Sequence, residues 1–99
     1  MTASEEAKKY LCNVAPEQCF WVNNGPILKN LEDLANFLPG ISDDTFRHHV
    51  NAEKNDFSNW IRDAVGDGKL ANDLLSSRSK ESALKKIKNR LNSLKKKAG

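Results

Sequence analysis

A chain of 99 residues, 38% hydrophobic and 29% charged, has room for one hydrophobic core and not for two. No apolar run approaches the roughly 18 residues of a membrane span, and the polar residues 1–9 are unlike a secretory signal, so the expectation is a cytoplasmic protein without membrane contact. The net charge of +3 conceals a division: residues 1–77 carry seven Lys or Arg against twelve Asp or Glu, which is −5, and residues 78–99 carry nine against one, which is +8. An acidic body (1–77) thus precedes a basic segment (78–99).

In chain order, Ser4 is placed to cap a short helix, with Glu5 and Glu6 in its first turn and Ala3, Ala7, Tyr10 and Leu11 at helical spacing. Ala15-Pro16 ends it, because proline disfavours helix in the residue before it. The aromatic and β-branched run Cys19-Phe20-Trp21-Val22 leads into Asn23-Asn24-Gly25, suited to the positive φ angles of a tight turn, and Pro26-Ile27-Leu28 returns. This predicts a two-stranded hairpin whose second strand lies at an edge or begins after Pro26.

Asn30 caps a helix with Leu31, Leu34, Ala35 and Leu38 on one face, stopped by Pro39-Gly40. Ser42 caps the next, with Asp43 and Asp44 at its positive end, Ile41 stapled to Phe46, and an end near Val50. Asn51 or Asn55 opens the most strongly patterned helix, in which Phe57, Trp60, Ile61, Ala64 and Val65 cover an arc of about 140°. Gly66 closes it, and Asp67 caps a last short helix with Leu70, Ala71, Leu74 and Leu75 inward. Beyond the polar joint Ser76-Ser77-Arg78-Ser79, the residues Leu84, Ile87, Leu91 and Leu94 form a narrow seam of about 80° among lysines. The expected fold is mainly α: a compact bundle of short helices, a small two-stranded β-hairpin, and a basic amphipathic C-terminal helix able to project from the body.

Residues 19–75 resemble an uncharacterised prokaryotic family of small helical domains. The resemblance rests on Asn30-Leu31-Glu32-Asp33-Leu34, Phe46-Arg47-His48-His49-Val50-Asn51, the run from Lys54-Asn55-Asp56-Phe57 through Trp60-Ile61-Arg62-Asp63, and Gly66-Asp67. It implies a helical domain found alone or attached to larger proteins, carries no reaction with it, and does not reach the basic segment.

The side chains that usually carry chemistry do not assemble a reactive set. Cys12 and Cys19 are expected as free thiols, Cys19 acting as a small buried hydrophobe. His48 and His49 diverge by about 100° on a helix and lack the paired spacing of a zinc site, so His49 is expected against the core, bonded to backbone, with His48 in water. Lys54-Asn55-Asp56 is what a helix start requires. Trp21 and Trp60 lie in apolar runs that assign both to the core, which removes them as stacking platforms. With no nucleophile–base pair, metal set or phosphate loop, neither an enzyme nor a cofactor is expected.

The basic segment therefore carries the functional expectation. Arg78, Lys80, Lys85, Lys86, Lys88, Arg90, Lys95, Lys96 and Lys97 suit contacts to the phosphates of DNA or RNA, which give affinity without sequence preference. The alternative is a protein partner or a homodimer formed through the Leu84, Ile87, Leu91 and Leu94 seam.

Overall fold

The computed structural model describes residues 2–23 and 25–99. Its first helix, α1 (Ala3–Leu11), is capped by Thr2, whose hydroxyl accepts the Glu5 N–H at 3.1 Å, two residues ahead of the expected Ser4 cap. Glu5 and Glu6 at one end and Lys8 and Lys9 at the other match the helix dipole, and Ala7 is buried. A 3-10 turn at Pro16–Gln18 follows.

Strand β1 (Phe20–Trp21) runs antiparallel to β2 (Ile27–Leu28), pairing Phe20 with Leu28 and Trp21 with Ile27. Side chains alternate across a strand, so the first pair faces the core and the second faces solvent. Trp21 is 72% exposed, which corrects its assignment to the core: the apolar run is real, but a half-covered hairpin buries only every second residue. Gly25 N–H closes the loop on the Val22 carbonyl at 3.0 Å, and a Cβ on Gly25 would stand 2.9 Å from Val22 Cγ1, so close approach requires glycine there. The expected positive φ angles fall partly on Asn24, which lies outside the described residues.

Helix α2 (Leu31–Phe37) starts at Asn30, whose side chain accepts the Asp33 N–H at 2.7 Å, and tightens into a 3-10 turn at Leu38–Gly40. Helix α3 (Asp43–His49) starts at Ser42 and buries both Ile41 and Phe46 of the staple. Asn55 caps α4 (Asp56–Trp60) and also donates through Nδ2 to the Leu74 carbonyl at 3.1 Å, tying the start of one helix to the end of another. The continuous helix expected to Val65 instead widens into a π-turn at Ile61–Val65, ended by Gly66 at φ 92°. Asp67 then caps α5 (Gly68–Leu74).

The core is centred on Phe20, whose ring lies 5.0 Å from that of Phe57, 5.1 Å from His49 and 5.8 Å from Trp60. Leu31, Leu34, Leu38, Ile61, Leu70 and Leu74 continue it, all essentially without exposure. The last helix, α6 (Lys80–Ala98), is about 28 Å long. It lies across α1, α2 and α5 and closes the same core with Ala83, Ile87, Leu91 and Leu94. It does not project: the buried stripe steps by four, four and three from Ala83, so Leu84 stands half-buried at its margin. Among the described residues no helix is long and apolar enough to cross a membrane.

Candidate nucleic-acid interface

The structure sorts the nine expected phosphate contacts by what already holds them. Arg90 forks onto Asp67, with Nε to Oδ2 at 2.7 Å and Nη2 to Oδ1 at 3.1 Å, and the two side chains are 14% and 1% exposed. It is a strut of the core and is withdrawn from the set. Lys95 Nζ lies 3.1 Å from Glu32 Oε2 of α2, an exposed pair with little net attraction to spare. Lys80 Nζ donates to the Ile41 carbonyl at 2.8 Å, and Lys86 Nζ donates at 2.9 Å to both the Asp73 carbonyl and Ser76 Oγ. These four anchor α6 to the body.

Arg78, Lys85, Lys88, Lys96 and Lys97 are exposed, and among the described residues no carboxylate pairs with them. At 100° per residue, Lys85, Lys88 and Lys96 fall within an arc of about 80° facing away from the buried stripe. They span about 16 Å along the axis. Asn92 falls within that arc and Asn89 just beside it, both exposed and offering amide donors. Glu81, the one acid of the segment, falls on the same arc a turn before Lys85, where it suits the positive end of the helix and bounds the stripe along the axis. Lys97 points about 100° away from that arc, onto a groove between α5 and α6 that Lys69, Lys86 and Ser93 also line.

Docking makes this face a rigid one. The seam residues Ile87, Leu91 and Leu94 are filled by the chain's own α1, α2 and α5, and so are absent from the surface, with Leu84 only partly available. Burying Ile87, Leu91 and Leu94 contributes about 1.5–3 kcal/mol each, enough to order a helix that would be marginal alone in water.

The strongest dyad outside α6 is His49 with Asp56. Asn23 N–H donates to His49 Nε2 at 3.0 Å, which requires a lone pair there, so the neutral ring carries its proton on Nδ1 and donates it to Asp56 Oδ2 at 3.0 Å. Lys54 Nζ reaches the same oxygen at 2.9 Å. Burial pushes the Asp56 carboxyl up, and the hydrogen bonds from Lys54 and His49 together with the Lys54 charge more than offset it, leaving the group below its ordinary 3.8. A His–Asp pair of this kind can support a nucleophile only if the second nitrogen faces substrate. Here that nitrogen is committed to backbone and the ring is 5% exposed, so the pair fastens the hairpin to α3 and α4. His48 is exposed, as its position on the helix predicts. Cys12 and Cys19 are free, with Cys19 half-buried and its thiol 3.7 Å from the Ala15 carbonyl.

Two features escaped the sequence. The Asp67–Arg90 pair joins residues 23 positions apart, which spacing cannot reveal. The outward indole of Trp21 was legible in principle, since Phe20 and Val22 inward require Trp21 outward. No protein-family model, curated protein or solved structure matches this chain.

Proposed function

We propose that the protein is a non-enzymatic, cytoplasmic nucleic-acid-binding module of accessory type, which meets the sugar-phosphate backbone with the outward face of α6. The observation that carries this reading is that Lys85, Lys88 and Lys96 share one face of an ordered helix whose opposite face is locked into the core, with none of the three paired to a carboxylate among the described residues. Arg78 and Lys97 lie off that face, Arg78 against the loop between α3 and α4 and Lys97 on the groove between α5 and α6. Lysines held on a docked helix lose less freedom on binding than lysines on a free arm, and each phosphate they neutralise releases counterions. Such contacts position a polymer without reading its sequence. The body carries a net negative charge, which weakens contact of the polymer with its acidic surfaces. In this reading residues 19–75 form the small helical domain of the family they resemble, and α6 is the binding element added to it.

The test is a fluorescence anisotropy titration of labelled duplex and single-stranded DNA and RNA against wild type and the triple variant Lys85→Glu, Lys88→Glu, Lys96→Glu at several salt concentrations. Three neutralised phosphates make duplex affinity fall roughly 40-fold between about 50 and 200 mM salt. The variant is expected to bind more weakly at low salt, with a flatter salt dependence, while keeping its fold.

A further inference from the structure

We propose that Trp21 is a stacking platform for an unpaired nucleobase, which deepens the reading above by naming single strands as the preferred form of the polymer and rests on that reading for the class of ligand. Trp21 is 72% exposed beside Ile27 at 46%, its direct cross-strand neighbour. Such exposure of an indole is unusual in a chain that buries its other Trp, at 8% exposed, with the ring N–H bonded to the Gln18 carbonyl at 2.7 Å.

The hairpin fixes the backbone that carries this indole from both sides. Phe20 before it is packed among Phe57, His49 and Trp60, and Asn23 after it is bonded to His49 through its backbone N–H. The backbone under the platform is therefore preorganised, and on binding only the side chain of Trp21 has order to gain.

The size of the patch selects the occupant. Trp21 and Ile27 together expose on the order of 250 Å² of side chain, against about 800 Å² per partner in a stable protein interface, so a second copy would gain too little from it. One face of an indole does match one base, and base–aromatic stacking is the usual device of sequence-tolerant single-strand binders. Strand alternation places Lys29 on the same side as Ile27 and diagonal to Trp21. Lys29 is exposed, its backbone N–H is held by Asp33 Oδ2 at 3.0 Å, and among the described residues no carboxylate pairs with its ammonium, which leaves a cation for the phosphate next to a stacked base.

The experiment measures binding of a labelled oligothymidylate of about 16 nucleotides, the upper end of such site sizes, and of a duplex of equal length. It compares wild type, Trp21→Ala, Trp21→Phe and the triple lysine variant. Trp21→Ala is expected to weaken single-strand binding by about 5- to 150-fold and to leave duplex binding within twofold, with Trp21→Phe retaining most of the affinity. The exposed position makes folding a minor concern, and circular dichroism of each variant checks it. Single-strand binding unchanged in Trp21→Ala, or lost in equal measure with duplex binding, overturns the inference. So does tryptophan emission that responds to phosphatidylserine vesicles and not to the oligonucleotide. Wild type that binds duplex without preferring the single strand overturns this inference alone. Loss of single-strand binding in Trp21→Ala with no effect of the lysine reversals overturns the α6 reading and leaves this one standing.

Discussion

Arg90 of α6 grips both carboxylate oxygens of Asp67, the residue that also caps α5 by accepting the Leu70 N–H at 3.2 Å. One buried carboxylate thus fixes the start of one helix and the middle of another. This contact, together with the buried stripe of Ala83, Ile87, Leu91 and Leu94, converts a basic tail into a wall of the body.

Removing one partner of that pair strands a charge in the core. Arg90→Leu is expected to destabilise the fold by about 3–5 kcal/mol, because Asp67 keeps its burial and loses its counter-ion. Arg90→Leu combined with Asp67→Asn should cost less than Arg90→Leu alone, since the amide still caps α5 without a buried charge. Urea unfolding of the three proteins checks both statements.

His49 and His48 are adjacent in sequence and should behave oppositely. His49→Ala deletes the acceptor of Asn23 N–H, the donor to Asp56 and the ring against Phe20 and Phe57, for an expected loss of about 2–4 kcal/mol. His48→Ala, at an exposed position, should stay within about 0.5 kcal/mol. Thermal unfolding of the pair decides it.

Asp56 gives the protein an acid-labile component. Its carboxyl lies below the ordinary 3.8 in the folded chain, so the unfolded chain binds the proton more readily. The stability this contributes is fully present above the ordinary carboxylate range and is lost as the pH falls through the lowered value. Asp56→Asn lacks that component. The gap in melting temperature between wild type and Asp56→Asn should therefore narrow as the pH is taken from 6 toward about 2.5, and a gap that widens contradicts the assignment.

Gly66 and Gly40 offer a matched comparison of backbone effects. Gly66 sits at φ 92°, a left-handed conformation in which a Cβ costs roughly 1–2 kcal/mol, although a Cβ there meets nothing closer than Tyr10 Cε1 at 3.7 Å. Gly40 has open space around its Cα and no such φ. Gly66→Ala is expected to lower stability by that amount in urea titrations, and Gly40→Ala to change it little.

Local chemistry made much of the fold legible. Asn30, Ser42, Asn55 and Asp67 all cap where their side chains can accept an N–H three residues on, and Pro39-Gly40 and Gly66 stop helices for the backbone reasons that single them out in the sequence. Thr2 displaced Ser4 as a cap because both residues suit the role and only the first turn decides between them. The π-turn at Ile61–Val65 left no sign, since its apolar residues fit an α-helical face equally well. The candidate site was legible in composition and not in geometry. Which of nine cations are spent on Asp67, Glu32, the Ile41 carbonyl and the Asp73 carbonyl depends on how α6 lies on the body, which only tertiary packing fixes.

The central claim is that the outward lysines of docked α6 bind phosphates. Its most direct test is the salt dependence of duplex binding for wild type and the Lys85→Glu, Lys88→Glu, Lys96→Glu variant. The claim predicts a slope of log affinity on log salt near −3 or steeper for wild type, flattened by about 2–3 in the variant. No binding by wild type at about 50 mM salt, or the same slope in both proteins, contradicts it.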